Sequence, residues 1–269
     1  MANARHSRRN VGPRDDRRTK DRELVGRAGI SEQLQELGVR PGDIVMVHAS
    51  LRRVGPVEGG ADAVLDGLLD SLGPGGTLLM VLGADDEKPF DALASEADED
   101  MGVLAEVFRQ RAGTRVNDHA DARYGAWGPD AAELLEPVPH HDYHGPGSVL
   151  SRFAGARARV LRLGADLDTL TLTHWAEYLA KVPNKRRVRR RYMRADSGEC
   201  WIEGLDDSDG IANWRGGDYF PQILVDFLAA GHARSGPVGN CTAELFETAT
   251  FVEFAVEWLE TILASNTLP

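Results

Sequence analysis

The hydrophobic pattern of the chain begins with a helix and a buried strand. Apolar residues recur at helical spacing from Glu23 onwards, and this pattern stops at Gly38. The spaced apolar positions are Leu24, Ile30, Leu34 and Leu37. The continuous apolar run at 44–47 is typical of a strand that is buried on both faces of a sheet.

The next segment repeats this order. A pair of glycines at 59–60 precedes an amphipathic helix that is predicted to run to Leu72, and a turn rich in Gly and Pro follows at 73–76. A second buried strand is predicted at 77–82. Together these elements form a β-α-β unit, for which a right-handed parallel crossover is the rule. We therefore expect the two strands to lie parallel in one sheet.

Later segments alternate less regularly. Helices are predicted at 102–111, 171–181 and 248–263, and a strand is predicted at 159–163. A basic stretch at 185–191 is predicted to lead into short strands. No internal repeat with a solenoid-like period is visible. The pattern predicts a single α/β domain with a central mixed sheet flanked by helices.

The N-terminal segment differs from the rest of the chain. Residues 1–22 contain eight Arg or Lys and three Asp, and they show no apolar periodicity. Such a segment has little apolar surface to bury against a core. We predict a disordered basic extension over 1–22 and a folded domain over 23–269, with contact to nucleic acid as a minor alternative for the extension.

The charge of the chain narrows the choice of ligand. The formal net charge is −11 over 269 residues, and the body is more acidic than the whole because the N-terminal extension is basic. An acidic body repels nucleic acid and attracts small cations. This favours a cationic substrate and no nucleic-acid partner, although an excess of carboxylates that only maintains solubility explains the charge equally well.

The cysteines and the apolar runs predict the compartment. Cys200 and Cys241 fit neither a CxxC metal motif nor a disulfide framework, so we expect structural thiols in a reducing cytoplasm. No run approaches the roughly 18 consecutive apolar residues of a membrane span. No apolar signal-peptide core follows the basic N-terminus. We expect a cytoplasmic protein without a membrane partner.

Several common catalytic signatures are absent from the sequence: GxGxxG, the Walker lysine loop, GxSxG and HExxH. Candidate chemistry is therefore sought at strand ends, where open α/β sheets place their sites. His48 and Ser50 follow the first predicted strand. Backbone N–H groups and a hydroxyl at such a turn are suited to binding a phosphate or an amide. A polar loop that only caps the strand is the alternative.

A second candidate is the pair His174 and Glu177 on the predicted helix at 171–181. Residues three apart lie on one helix face, so the imidazole and the carboxylate can share a pocket. The carboxylate favours the protonated imidazole and fixes its tautomer, which is the arrangement that a general base needs. The alternative is an exposed ion pair.

A third candidate is the acidic segment after the second predicted strand. Its carboxylates lie at 85–87 and 98–100, on either side of a Pro-Phe-Asp turn. Loops of this length are often functional, and side chains such as Asp85 and Asp86 are suited to binding several ammonium groups at once. The alternative is a solvated, mobile loop.

Eight separated motifs, taken in order, resemble the aminoglycoside 3-N-acetyltransferase family. The motifs are His48-Ala49-Ser50-Leu51, Gly59-Gly60, Gly75-Gly76-Thr77-Leu78, Pro89-Phe90-Asp91, the segment 102–109, Leu163-Gly164-Ala165, His174-x-x-Glu177-Tyr178 and Gly236-Pro237-Val238-Gly239. The resemblance runs from about residue 24 to about residue 263. An ordered set of motifs is far more specific than any one of them.

The resemblance implies an enzyme that transfers acetyl from acetyl-coenzyme A to the 3-amine of a 2-deoxystreptamine aminoglycoside, conferring antibiotic resistance. It implies a fold distinct from that of the GCN5-type acetyltransferases and no metal. His174 and Glu177 match the family's catalytic pair. We expect direct attack of the amine on the thioester with His174 as general base, and His48 is the competitor for that role.

The resemblance also assigns the residues of the cofactor side, whereas the carboxylates that would hold the substrate follow from its positive charge. The residues expected to contact acetyl-coenzyme A are Ser50, Leu51, Val54 and Thr169. The carboxylates expected to hold the cationic aminoglycoside are Asp85, Asp86, Glu106 and Asp218. Glu106 has a plain alternative, because a Glu on an amphipathic helix is often only a surface residue.

Two departures from the family pattern bear on the substrate. The segment 119–123 lacks the usual Pro and Ser, and Arg123 is expected to place a cation near the substrate. Asn240 stands where relatives often carry His or Asp, so a substrate contact there lacks charge. Another small amine acceptor, or a non-catalytic binder of a cationic ligand, remains an alternative. The chain is expected to be a monomer or a homodimer.

Overall fold

The computed structural model describes residues 24–266 as a central sheet, its flanking helices and a separate hairpin. The helices are Arg27–Leu37 (α1), Leu51–Val54 (α2), Gly60–Leu72 (α3), Val103–Gln110 (α4), Ala131–Leu134 (α5), Val149–Gly155 (α6), Leu172–Leu179 (α7), Phe220–Ala229 (α8) and Thr248–Trp258 (α9). The strands are Ile44–Ala49 (β1), Thr77–Val81 (β2), Arg115–Val116 (β3), Tyr124–Trp127 (β4), Ala158–Leu163 (β5), Arg187–Arg194 (β6), Gly198–Leu205 (β7), Arg234–Val238 (β8) and Cys241–Glu247 (β9).

The central sheet has seven strands in the order β3-β4-β2-β1-β5-β9-β8. Strand β1 pairs in parallel with β2 on one side and with β5 on the other, and the remaining pairs are antiparallel. The expected parallel β-α-β unit and the expected mixed sheet are therefore confirmed. Because β1 and β5 are parallel neighbours, their carboxyl ends meet at one edge of the sheet.

The core consists of two apolar layers, one on each face of the sheet. Met46 packs in the larger layer with α6, α7, α8 and α9, whereas Val45 and Val47 pack in the smaller layer with α1, α3 and α4. This alternation follows from the period of two in a strand, and it explains why β1 has an uninterrupted apolar sequence.

The start of the first helix differs from the prediction. Helix α1 begins at Arg27, and Leu24 is 62% exposed instead of buried on the helix. Val25 forms an isolated bridge with Val57, so the backbone is committed to extended pairing just before the helix. The end is as predicted: Gly38 has a φ of 119°, which glycine adopts at no steric cost, and its N–H reaches the Leu34 carbonyl at 3.1 Å.

The basic stretch at 185–191 also differs from the prediction, because part of it is strand β6 itself. Strands β6 and β7 form a separate antiparallel hairpin. Arg187, Arg189 and Arg191 point outward along β6, and the guanidinium of Arg189 lies 4.4 Å from the ring centroid of Trp201. A period of two with Arg on the exposed face is a strand pattern that the charge run conceals.

Candidate functional site

Two segments follow the carboxyl ends of β1 and β5. Residues 50–54 follow β1 and include α2, and residues 164–169 follow β5. The Ser50 N–H donates to the Leu163 carbonyl at 2.9 Å. Arg53 donates to the Gly164 carbonyl at 2.7 Å, and Arg162 donates to the Ala165 carbonyl at 2.7 Å. The sheet edge therefore brings together the two segments that carry the predicted cofactor residues.

A cavity of about 780 Å³ opens at this edge, within the usual size range of ligand sites. Five of the residues singled out from the sequence line it: His48, Ser50, Leu51, Thr169 and His174. Carboxylates also line it, namely Asp98, Asp100, Asp121, Asp166 and Asp168. The cavity thus combines the predicted catalytic helix, both strand-end loops and strong negative charge.

A second cavity of about 500 Å³ lies next to the first. It is lined by four carboxylates, Asp168, Asp207, Asp209 and Asp218, together with Arg186 and the Trp214 side chain. Three residues line both cavities: Asp168, His174 and Phe220. His174 therefore stands where the two cavities meet.

Helix α7 holds His174 and Glu177 on one face, as their spacing predicts. His174 Nδ1 lies 2.9 Å from Glu177 Oε2. Burial lowers the pKa of His174, but the hydrogen bond and the charge of Glu177, together with Asp207 and Asp121, outweigh it and raise the pKa above its ordinary value. The expected alternative of an exposed pair does not apply, because Glu177 is only 1% exposed.

Tyr219 completes this group and was not anticipated from the sequence. Its hydroxyl donates to Glu177 Oε1 and accepts the Ile211 N–H at 2.9 Å. Both carboxylate oxygens of Glu177 are thus occupied, one by His174 and one by Tyr219, which fixes the plane of the carboxylate. The only sequence signal is that Tyr219 lies next to Asp218, at the start of α8.

Two rings hold the imidazole of His174. Phe220 lies at a centroid distance of 4.8 Å with an interplanar angle of 57°. His144 is stacked on it at 4.8 Å with an angle of 7°. Sequence reasoning missed both residues, because neither belongs to a recognisable motif and each comes from a segment remote from α7.

A partly buried ionic network lies next to His144. Arg190 on β6 donates to Asp121 at 2.9 Å and to Asp207, and the Tyr143 hydroxyl donates to Asp207 at 2.8 Å. Burial and the charge of Asp207 raise the pKa of Asp121. Burial also acts on Asp207, but the cationic groups around it, among them Arg190, outweigh that effect and lower its pKa. One guanidinium thus links a carboxylate of each cavity.

His48 differs from His174 in its environment. It is buried at the end of β1 and lines only the larger cavity. Burial and the nearby Arg162 lower the pKa of His48 to about 3, so its ring is neutral at physiological pH. Its Nε2 atom is buried and has no hydrogen-bond partner among residues 24–266.

Several residues assigned to ligands from the sequence line neither cavity. Val54 is buried in the smaller core layer, and its carbonyl accepts the Asn240 N–H at 2.7 Å. Glu106 is bound to Arg109 at 2.7 Å, and this contact lowers its pKa to about 2 in spite of partial burial. The others are Asp85, which pairs with Lys88 at 2.8 Å, the neighbouring Asp86, and Asn240.

The expected position of Arg123 was wrong. Its side chain is fully buried, and its guanidinium donates to four backbone carbonyls, those of Gly83, Ala92, Ser95 and Glu96. All four belong to the loop after β2. Arg123 therefore organises that loop from inside and places no cation in either cavity.

Among residues 24–266, no group of three or more His, Cys, Asp or Glu side chains is arranged to hold a metal ion. Within the same range, no helix has the length and apolar character needed to cross a membrane.

Comparisons with known proteins agree on one family. A family model described as aminoglycoside 3-N-acetyltransferase matches residues 46–260. Aminoglycoside N(3)-acetyltransferase VIII of Streptomyces fradiae is 38% identical, over 89% of this chain and 96% of the relative.

Solved structures give the same result. AAC-IIIb in a binary complex with CoASH superposes with a TM-score of 0.85 at 34% identity, covering 92% of this chain and 99% of the other. AAC-VIa bound to sisomicin superposes with a TM-score of 0.83 at 32% identity, covering 88% of this chain and 98% of the other.

Proposed function

Because the chain belongs to the aminoglycoside 3-N-acetyltransferase family, we propose that it transfers acetyl from acetyl-coenzyme A to the 3-amine of a 2-deoxystreptamine aminoglycoside, with His174 as general base. The observation that carries the proposal is the position of His174, which is bound to Glu177 and stands where two cavities meet. Transfer between two bound substrates requires such a place.

In this proposal His174 removes a proton from the attacking amine. An ammonium group cannot attack a thioester, so the amine first loses its ammonium proton to solvent. As the N–C bond forms, a second N–H proton passes from the attacking nitrogen to His174. Nδ1 is engaged by Glu177, which leaves Nε2 of His174 to take that proton. As the C–S bond breaks, His174 gives that proton to the leaving sulfur, so coenzyme A leaves as the thiol and the ring returns to its neutral form.

Glu177 and Tyr219 support the base. Glu177 fixes the tautomer of His174 and stabilises the imidazolium that forms, since its charge raises the pKa of the ring. Tyr219 holds the second oxygen of Glu177 and so keeps the carboxylate in place. Glu177 and Tyr219 are buried and the His174 side chain is only 15% exposed, which strengthens these interactions relative to water.

The larger cavity suits acetyl-coenzyme A at its strand-end loops. Ser50, Leu51 and Thr169 line it, which supports their assignment to the cofactor side. The neutral His48, with its unpartnered Nε2 atom, is suited to a hydrogen bond with a polar group of the ligand. Acetyl-coenzyme A supplies the acetyl group as a thioester, and the side chains named here need no metal to act.

Carboxylates provide the binding of a polycation. Asp218 lines the smaller cavity with Asp207 and Asp209, and Asp168 lines both cavities. Each charge-assisted contact contributes on the order of 1.5 to 3 kcal/mol when it is well desolvated. We leave Asp85, Asp86, Glu106 and Asn240 out of the proposed site, since they line neither cavity.

Analysis of the product tests this function against its alternatives. The full chain is incubated with acetyl-coenzyme A and sisomicin, and the product is examined by mass spectrometry and two-dimensional NMR. We expect one added acetyl group, located on the 3-amine. Acetylation only of an unrelated small amine would support a different acceptor, and binding of sisomicin without release of coenzyme A would support a non-catalytic binder.

A further inference from the structure

His144 stacks on the ring of the proposed base, and the mechanism above does not use it. Its imidazole is stacked nearly parallel to that of His174, with an interplanar angle of 7° and a centroid distance of 4.8 Å. It also lines the larger cavity. Phe220 touches His174 at a steeper angle, so the broad face of the base is covered by His144.

The loop that carries His144 is fixed to the hairpin. The Asp142 N–H donates to the Glu203 carbonyl at 2.7 Å, and the Asp142 carboxylate binds Arg187 at 2.9 Å. Asp142 has a φ of 54°, which a non-glycine residue adopts only when its surroundings require it. The Tyr143 ring packs against His144 at 4.9 Å. The stacked ring is therefore held in place by backbone and side-chain contacts of its own.

His144 is buried and neutral. Burial and the charge of His174 lower its pKa well below the ordinary value. Its Nε2 lies 3.8 Å from Asp207, beyond hydrogen-bond distance, and its Nδ1 has no partner among the described residues. A hydrogen-bonding role within the folded chain thus does not explain why a histidine is buried here.

The interaction between the two stacked rings depends on the charge of His174. When His174 is neutral, the two rings form an ordinary aromatic contact. When His174 carries the proton taken from the amine, a cation lies against the face of a neutral aromatic ring, which is an attractive arrangement. A second charged imidazole in that position would repel it, so the neutrality of His144 is essential to this effect.

We propose that His144 is a positioning residue for the general base: its neutral ring holds the plane of His174 and stabilises the imidazolium that forms during transfer. This inference rests on the proposed role of His174. What matters is the flat aromatic face, because the ring nitrogens have no partner at hydrogen-bond distance among residues 24–266.

Two substitutions of similar size separate the face from the nitrogens. His144→Phe keeps a flat ring without nitrogens, whereas His144→Leu fills the space without a flat ring. We expect His144→Phe to keep kcat within about 3-fold, and His144→Leu to lose about 10-fold, less than the roughly 10²-fold that a 1 Å misplacement costs. The Michaelis constants for both substrates should change little, and melting temperatures check that both variants fold.

A spectroscopic readout distinguishes positioning from a general effect on the fold. The titratable and charged groups around the two rings are Glu177, Asp207, Asp121, Arg190 and His119. In ¹⁵N NMR of the full chain, we expect His174 to titrate above the ordinary range for histidine while His144 stays neutral. In His144→Phe, the His174 titration should move less than in His144→Leu.

The outcomes are distinct. Equal loss of kcat in the Phe and Leu variants overturns the role of the aromatic face, and normal kcat in His144→Leu overturns any positioning role. His174→Ala is measured alongside. Normal turnover in His174→Ala overturns the base itself, whereas loss in His174→Ala without loss in His144→Leu overturns only the inference about His144.

Discussion

At the scale of single residues, the charge of His174 results from two opposing effects. Burial disfavours the imidazolium, and Glu177 with the more distant Asp207 and Asp121 favours it, with a raised pKa as the outcome. A general base is active only when it is neutral. Activity should therefore rise as the pH increases through a midpoint above the ordinary histidine value.

Replacement of Glu177 tests this balance. Glu177→Gln removes a charge that raises the pKa of His174, so the acidic limb of the kcat profile should move to lower pH. The plateau should fall by about 10-fold, because a weaker base takes the proton less readily. The same aminoglycoside is used for both enzymes, so that titration of the substrate amine is common to both. An unchanged profile would show that Glu177 does not set the charge of His174.

Of the residues that contact His174 or Glu177, some were predictable from the sequence and others were not. His174 and Glu177 are three residues apart, and helical geometry alone brings them together. Tyr219 lies 42 residues from Glu177, and His144 lies on a loop before α6. Contacts between remote segments follow from the packing of the whole chain and leave no local pattern.

At the scale of elements, the buried Arg162 connects strand β5 to the site. It is 2% exposed, its guanidinium lies 3.1 Å from Glu244 on β9, and it donates to the carbonyls of Ala165 and Asp166. These contacts hold the loop that lines the larger cavity. The charge of Arg162 also contributes to the neutral state of His48.

Removal of the Arg162 guanidinium should therefore lower the free energy of unfolding. Arg162→Met leaves Glu244 partly buried without its partner, and loss of one member of a buried pair costs about 3 to 5 kcal/mol. The matched control is Arg191→Met, whose exposed pair with Glu199 contributes about 0 to 1 kcal/mol. Urea unfolding of both variants measures the difference. Equal stabilities would show that the Arg162 contacts do not hold the sheet edge.

Strand ends were the most informative sequence feature at this scale. The parallel β-α-β pattern predicted that the loop after β1 lies at a site, and Ser50 and Leu51 line the larger cavity. Val54 does not, because the loop turns into the short helix α2 and buries Val54 against the turn between β8 and β9. The pattern located the loop, but the direction of each side chain depends on the turn that follows.

At the scale of the whole molecule, part of the acidic charge of the chain lies in the two cavities. The net charge of −11 is accompanied by carboxylates in both cavities. Negative charge in a cavity attracts a polycation and raises its association rate. The segment 1–22, predicted to be a disordered basic extension, lies outside the described residues.

The prediction of a mixed α/β sheet was confirmed, while the arrangement of the charged loops was not predictable. Composition and periodicity indicate strands and helices, but Arg123 looks the same in the sequence whether it faces a ligand or is buried. Its four carbonyl partners are backbone atoms, which have no sequence signature.

The most direct test of the account is the rate of coenzyme A release with sisomicin by the wild-type enzyme, His174→Ala and His48→Ala. We expect sisomicin-dependent release by the wild type and a loss in kcat of about 10²- to 10⁴-fold in His174→Ala, with sisomicin affinity largely retained. A His174→Ala enzyme with near-normal kcat from about pH 6 to about pH 9, beside an inactive but folded His48→Ala enzyme, would move the base to His48 and contradict the account.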